Sequence, residues 1–379
     1  MGAPTAVDLF SGAGGMALGL LAAGFDIRLA SDVWPAAQAT YMANFDHPFL
    51  LADIRDLDAA EVIRLAGGVP DLVAGGPPCQ GFSPAGKRDP GDTRSTLVGA
   101  YARLAADIGA PVVVFENVEG FLTMDGGRFV TDLLDPLVEA GYVIELAKLD
   151  VAGFGVPQHR KRIIGIACLG RCPVLPVAFT DAPGVGTVLG HGADPEDEWS
   201  QPAWPEGAVV QRIRMLCPGQ TMADLPEELH HASYRAASKR RVSDGTDPKR
   251  RGGAPVRMRR LDPALPSPAI TSDARLSLVH PWHDRFLTIR EAALLQGFPA
   301  DHQFVATAGQ AAALVGNAIP PLFARHVAEA VLATLRSGAG PVRLHVGDPR
   351  RFSPSLRDSV NMVTNRYATR TRDDLQRVR

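Results

Sequence analysis

The chain has 379 residues, 46% hydrophobic and 21% charged, which is enough apolar material for a core without disulfide or metal staples. No run approaches the roughly 18 apolar residues of a membrane helix, and the opening MGAPTAVDLF lacks a basic-then-apolar secretory pattern, so a cytoplasmic protein is expected. The net charge of −2 conceals two basic stretches: twelve Lys and Arg against six Asp and Glu between Glu206 and Arg260, and nine Arg against four Asp from Ser337 to Arg379. That unevenness suits a polyanion held at one face, and it equally suits a solvated surface.

Over the first 168 residues, β-like runs (TAVDLF, FDIRLAS, DLVAGG, PVVVFENV, RIIGIAC) alternate with helix-like ones such as MALGLLAAG, AAQATYMANF, TLVGAYARLAADIG and FVTDLLDPLVEAG. The alternation predicts an α/β fold with a mostly parallel, Rossmann-like sheet covered on both faces. Right-handed crossovers would then bring every strand's C-terminal end to one rim, where ligands bind. After about Gly170 the periodicity fades, Pro and Gly become frequent, and KRR occurs at 239–241 and 249–251. The boundaries read from this are 1–170 for a cofactor-binding domain, 171–275 for a second, smaller, loop-rich domain, 276–336 for a return to the first, and 337–379 for a basic tail expected to be partly disordered. In the return, RFLTIREAALLQGFP predicts a helix entered after Thr288. PPLFARHVAEAVLATL predicts an amphipathic helix with Pro320 and Pro321 near its first turn.

DLFSGAGGMALGL follows the first strand, and its Gly12, Gly14 and Gly15 let the backbone turn sharply beside a ligand. Asp32 lies twenty residues beyond Gly12 at the end of the second strand, a spacing that suits a carboxylate on ribose hydroxyls. Asp53, in LLADIRDL, is expected to close the third strand and to accept from an adenine amino group. The loop is not a strict GxGxxG, which speaks against a dinucleotide and leaves an oxidoreductase reading with nothing else to rest on.

Of the four cysteines, Cys168, Cys172 and Cys217 read as ordinary small residues, with no structural zinc or disulfide framework expected. Cys79 differs. DLVAGGPPCQGFS ends a strand and runs into two prolines that stiffen the chain before a thiol at the ligand rim. A nucleophilic thiolate needs an acid or base partner, and Glu116 in PVVVFENVEGF ends the next strand.

DLFSGAGG, GGPPCQGFS, FENVEGF, QHRKRIIGIA, LTIREAALLQGFP and VGNAIPP, in this order, resemble the motifs of cytosine-5 DNA methyltransferases of bacterial or phage type, covering about 1–168 and 280–335. The resemblance implies S-adenosylmethionine as methyl donor and double-stranded DNA as partner. By it, Cys79 would attack carbon 6 of a flipped-out cytosine, Glu116 would protonate or hydrogen-bond ring nitrogen 3, and Arg160 and Arg162 would steady the base, the nucleophile and a nearby phosphate. Phe10, Ser11, Gly12, Gly14, Gly15, Asp32, Trp34, Asp53, Ile54 and Leu97 would line the cofactor site, with Asn317 closing it. Gln80, Ser83 and Arg94, together with Lys239, Arg240, Arg241, Lys249, Arg250 and Arg251, would contact DNA, most of the basic ones through phosphate. Asp32 stands where the family often has Glu; a shorter carboxylate still reaches a ribose. The segment 171–275 would be a target-recognition domain. A monomer is expected, acting either in restriction–modification beside a partner restriction endonuclease or as an orphan methylase. The alternatives are a tRNA cytosine-5 methyltransferase, whose branch carries a Cys-Phe-Thr tripeptide not found here, and a non-catalytic DNA-binding homologue, which would be expected to lose Cys79 or Glu116.

Overall fold

The computed structural model describes residues 2–78, 97–122, 127–190, 197–236 and 258–337, and the backbone of 345–346. In chain order these form β1 (Thr5–Leu9), α1 (Gly15–Ala22), β2 (Asp26–Asp32), α2 (Pro35–Met42), β3 (Phe49–Leu51), α3 (Ala59–Ala66), β4 (Leu72–Gly75), α4 (Leu97–Ile108), β5 (Val112–Val118), α5 (Arg128–Glu139), β6 (Tyr142–Asp150), β7 (Gln158–His159) and β8 (Lys161–Leu169). There follow α6 (Ala208–Met215), β9 (Arg259–Arg260), β10 (Ser267–Pro268), α7 (Ala274–Ser277), β11 (Leu278–Val279), α8 (Ile289–Gln296), α9 (Ala308–Asn317), α10 (Pro321–Arg336) and β12 (His345–Val346). Two compact units result: Met1–Asp150, Lys161–Phe179 and Pro321–Arg379 make the first, and Val151–Arg160 with Thr180–Pro320 make the second. Of the segment 276–336, residues up to Pro320 therefore pack in the second unit and α10 in the first.

The first unit is built on an eight-stranded sheet of order β12-β6-β8-β5-β4-β1-β2-β3. All its pairings are parallel except those of β8, which runs antiparallel to both β5 and β6. The sheet is thus mostly parallel, as the alternation of elements requires, but the expectation that every strand points the same way fails at β8. Strand β6 has no counterpart among the expected strands, because Glu145 and Lys148 interrupt its apolar run. Its partner β8 supplies the ladder that makes it a strand, a tertiary effect outweighing local pattern.

Valines and isoleucines of the central strands are buried on both faces, as a covered parallel sheet demands. On one face α4 and α5 lay down Val98, Tyr101, Leu104, Leu133, Leu134 and Leu137 over Val73, Val113 and Phe115. Each such side chain is worth roughly 1.5–3 kcal/mol when fully buried. The buried Tyr101 hydroxyl donates to the Val114 carbonyl at 2.6 Å, which satisfies its one polar atom. Elsewhere in the unit α1 packs on α10. A Cβ at Gly19 would stand 2.5 Å from the Ala324 side chain and the Arg325 backbone nitrogen, so only glycine permits that approach.

Among its described residues the second unit has few strands, and a buried cation ties its elements together. Arg260, 5% exposed, donates to the carbonyls of Ile213, Leu216, His280 and His283 at 2.7–3.1 Å and to Asp284 Oδ1 at 2.6 Å. One guanidinium therefore ties the end of α6 to the turn after β11, beside a small core of Ile213, Leu216, Met222, Leu225, Met258 and Val279. Thr288 caps α8 with a reciprocal bond to Glu291, the start expected from the sequence. Burial pushes the Glu291 carboxyl up, but a bidentate pair from Arg285 at 2.7 and 2.8 Å together with the Thr288 amide outweighs it and holds the group below the usual range.

His280 is fully buried, and its Nε2 has no hydrogen-bond partner. Burial lowers its pKa to about 4, against the pull of Glu291 and with help from Arg285, His283 and Arg260 around it. The unfolded chain binds this proton near 6.5 and the folded one only near 4, so the stability is present above about pH 6.5 and is lost as pH falls. Wild-type protein should lose about 2 kcal/mol through this group between pH 6.5 and 4.5. Denaturant titrations should find that loss reduced in His280→Asn; equal pH slopes in the two proteins would refute it.

Candidate active site at the carboxyl rim of the sheet

Parallel register lines up the ends of the strands. Leu50, Ser31, Leu9, Gly75 and Phe115 are successive neighbours across β3, β2, β1, β4 and β5. One residue further along each strand stand Leu51, Asp32, Phe10, Gly76 and Glu116. The residues singled out from separate motifs thus fall in one row.

At the β1 end the chain turns at once. Phe10 adopts φ 56°, the one non-glycine residue with positive φ among those described, and Gly12 and Gly14 follow at 52° and 84°. Holding a bulky side chain in the left-handed region costs energy that the surrounding structure must supply, as at many ligand-binding turns. The loop is fastened to the end of β2: Ser11 N and Oγ donate to the Ser31 carbonyl, and Gly12 N donates to Asp32 Oδ2 at 3.0 Å. Asp32 Oδ1 accepts from Trp34 N at 2.9 Å. Burial raises the Asp32 pKa, opposed by the amides of Trp34, Gly12 and Val33. Gly15 opens α1, and Gly14, its cap, lies so close to the Phe45 ring that a Cβ would meet it at 2.3 Å. Beneath the loop Asp8 is 1% exposed with Oδ2 unpartnered, and burial followed by the nearby Asp32 pushes its pKa well up.

Asp53 does not close the third strand, which ends at Leu51. It caps the short 3-10 turn Ile54–Asp56, accepting from Arg55 N. Ile54 is buried beneath it, and Leu97, which opens α4, packs against the same core. Val33, directly after Asp32, is 58% exposed.

At the β4 and β5 ends the arrangement is tighter. Glu116 Oε1 pairs with Arg162 Nε at 2.6 Å, both side chains mostly buried. The reversed direction of β8 makes this possible: the antiparallel register sets Val118 opposite Arg162, so the first residues of β8, not its last, reach the rim. Glu116 Oε2 lies where a Cβ on Gly76 would come within 3.3 Å, so the glycine before the Pro-Pro step leaves room for the carboxylate. Asn117, 5% exposed, donates from Nδ2 to the Pro77 carbonyl at 3.0 Å and fixes the stem two residues before Cys79. Cys79 itself, with Gln80, Ser83, Arg94, Lys239, Arg240, Arg241, Lys249, Arg250 and Arg251, lies outside the described residues.

Arg160 and Asn317 belong to the second unit. Arg160 is 2% exposed, and its guanidinium donates to the carbonyls of Ile270 and Gly316 at 2.8 and 2.9 Å. Nearby, Gln158 pairs with Gln296, accepts from Ile270 N, and Gln296 in turn donates to Val315 and Ala318. Three motifs, QHRKR, LLQGFP and VGNAIPP, are thereby knitted through buried amides, and Asn317 ends α9 exposed at the edge of that network. The sequence signals a guanidinium at Arg160 without indicating that it faces inward.

The rim suits an adenosyl-type methyl donor: a left-handed loop with no bulk on Gly12 and Gly14, a carboxylate at Asp32 with the spacing that suits a ribose, and an acceptor at Asp53. The sheet is that of the α/β S-adenosylmethionine-dependent methyltransferases, and this donor set fits their cofactor. A family model described as C-5 cytosine-specific DNA methylase matches residues 5–333. The type II methyltransferase M1.HphI of Haemophilus parahaemolyticus is 33% identical over 346 residues, covering 86% of each chain. M.XorII of Xanthomonas oryzae pv. oryzae is 30% identical over 397 residues, covering 95% of this chain and 92% of that one. Among solved structures, a putative DNA modification methyltransferase encoded within an E. coli prophage shares the fold with a TM-score of 0.68 at 23% identity, over 88% of this chain and 100% of that one. The chain belongs to the C-5 cytosine-specific DNA methylase family. It is an enzyme that transfers a methyl group to carbon 5 of cytosine in DNA, with S-adenosylmethionine as the donor. Among the described residues no helix is long and apolar enough to cross a membrane.

The Asn117–Pro77 bond predicts a separable effect. Losing one buried hydrogen bond costs about 1–3 kcal/mol, so Asn117→Ala should lower kcat about ten- to a hundredfold while S-adenosylhomocysteine affinity stays at the wild-type level. Calorimetry and initial rates measure both; an unchanged kcat would show that the clamp does not position the nucleophile.

Proposed function

We propose that the chain methylates cytosine within one short duplex sequence, and that it does so through a covalent adduct to Cys79. The observation that carries the assignment of roles is the Glu116–Arg162 pair at the rim, one strand from the stem of the Pro-Pro-Cys loop. Carbon 5 of cytosine is a weak nucleophile because its electrons belong to an aromatic ring. Addition of the Cys79 thiolate at carbon 6 breaks that aromaticity and pushes electron density toward ring nitrogen 3 and carbon 5. Glu116 donates a proton or hydrogen bond at nitrogen 3, and Arg162, on its Oε1, orients the carboxyl group. General acid help of this kind is worth about 10²–10⁴-fold. When bound, S-adenosylmethionine supplies an electrophilic methyl group on a sulfonium, held by the Phe10–Gly15 loop, Asp32, Asp53 and Ile54. Once carbon 5 carries the methyl, loss of its proton to a base, departure of the Cys79 thiolate and return of any nitrogen 3 proton to Glu116 restore the aromatic ring.

A stacked cytosine exposes neither face, so the base must leave the helix, at a cost of a few kcal/mol. Phosphate contacts from the Lys and Arg of the segment 171–275 offset that cost, and this segment reads the target sequence. The relatives' description as type II methyltransferases supports a place in restriction–modification, with a restriction endonuclease as the chain's counterpart; the chain acts as a cytoplasmic monomer in this reading.

DNA bearing 5-fluorocytosine at the target blocks proton loss and should trap the enzyme as a denaturation-resistant adduct. Wild type should give a shifted band that Cys79→Ser does not, whereas active wild type without the band would remove the thiol from the mechanism. The target comes from sequencing modified cytosines in plasmid DNA from expressing cells. Methyl transfer to tRNA in place of duplex DNA would favour the RNA reading.

A further inference from the structure

Asp53 is held more firmly than a lone acceptor on a surface turn needs. Arg55, two residues on, closes around it: Oδ1 accepts from Arg55 N at 3.0 Å and Nε at 2.9 Å, and Oδ2 accepts from Nη2 at 2.5 Å. A carboxylate offers about four acceptor positions. Arg55 takes three, leaving one on Oδ2. The two side chains are otherwise unlike in setting, with Asp53 at 22% and Arg55 at 47% exposure, so the acceptor lies inward of the group that binds it. The buried Ile54 between them pins the turn from below.

Resting on the reading that this rim binds the adenosyl group, we propose that Arg55 is a positioning residue which fixes Asp53 as a single, directed acceptor and thereby makes the cofactor site selective for a 6-amino purine over a 6-oxo purine. The exocyclic amine of adenine donates to the remaining lone pair. A carbonyl at the same position would set lone pair against lone pair, and a carboxylate that cannot turn away cannot relieve that contact. The planar guanidinium matters here, because its fork fixes both oxygens at once where an ammonium would fix one. The same hydrogen bonds lower the Asp53 pKa, which keeps the carboxylate an acceptor only.

The test uses the full chain and two ligands, S-adenosylhomocysteine and its inosyl analogue, in which the 6-amino group is replaced by oxygen. Calorimetry on wild type should show strong preference for the adenosyl compound. Asp53→Ala should weaken adenosyl binding and abolish the preference. Arg55→Ala should weaken adenosyl binding about tenfold and bring the two ligands closer by a similar factor, as expected for a loosened charge-assisted bond. The double variant should bind no more weakly than Asp53→Ala alone. Kinetically, Arg55→Ala should raise the KM for S-adenosylmethionine and leave kcat unchanged, and Arg55→Lys should recover part of the affinity with less of the selectivity. Should Arg55→Ala fail to fold, the lysine variant carries the same comparison. Wild-type selectivity in the Arg55 variants, with Asp53→Ala impaired, would overturn the proposal. Wild-type binding by Asp53→Ala would instead overturn the adenine reading of Asp53 on which it rests.

Discussion

The 2.6 Å pair between Glu116 and Arg162 depends on a single antiparallel strand. In an all-parallel sheet the first residues of every strand lie at the edge opposite the ligands, and an arginine at that position of β8 would be far from the end of β5. Inserting β8 the other way round, between β5 and β6, carries its amino-terminal residues to the ligand rim and sets Arg162 against the strand that bears Glu116. Gly165 makes the insertion possible, since any Cβ there would sit 2.0 Å from the Phe115 ring. The reversal that looks like an irregularity of the sheet is the feature on which the proposed acid's orientation rests.

Around that pair the rest of the rim follows from register. Strand ends that are neighbours in the sheet bring a ribose-type carboxylate, a left-handed turn, a glycine without bulk and a carboxylic acid into one row. The groups to which the proposed function gives binding and reacting roles are held by backbone ladders rather than by flexible side chains reaching across a cleft. Asn117 extends the same logic beyond the last ladder bond, using one buried amide to hold the Pro77 carbonyl and hence the stem of the loop that carries Cys79.

The alternation of elements, the capping threonine of α8, the two prolines at the start of α10 and the glycine loop were legible in the sequence because each is a local signal with its own period or residue type. The direction of β8 was not, since no local pattern distinguishes a parallel from an antiparallel buried strand. Strand β6 escaped for a related reason: its Glu145 and Lys148 make sense only beside a neighbouring strand. The position of Asp53 beyond the strand, and the inward guanidinium of Arg160, depend on partners far away in the chain or on a turn of three residues. Arg260 shows the same limit more sharply, for nothing near it in sequence marks it, among many arginines of a basic region, as the buried one that gathers four carbonyls.

The most direct test of the account is exchange of the hydrogen on carbon 5 of cytosine, measured as tritium release to water from duplex DNA labelled at that position and carrying the target sequence, with enzyme and no methyl donor. Thiolate addition activates carbon 5 whether or not a methyl group arrives, so wild type should release tritium and Glu116→Gln and Arg162→Ala should release it at least tenfold more slowly, in line with the worth of general acid help. Wild-type rates of release from the Glu116→Gln enzyme would contradict the role given to the pair.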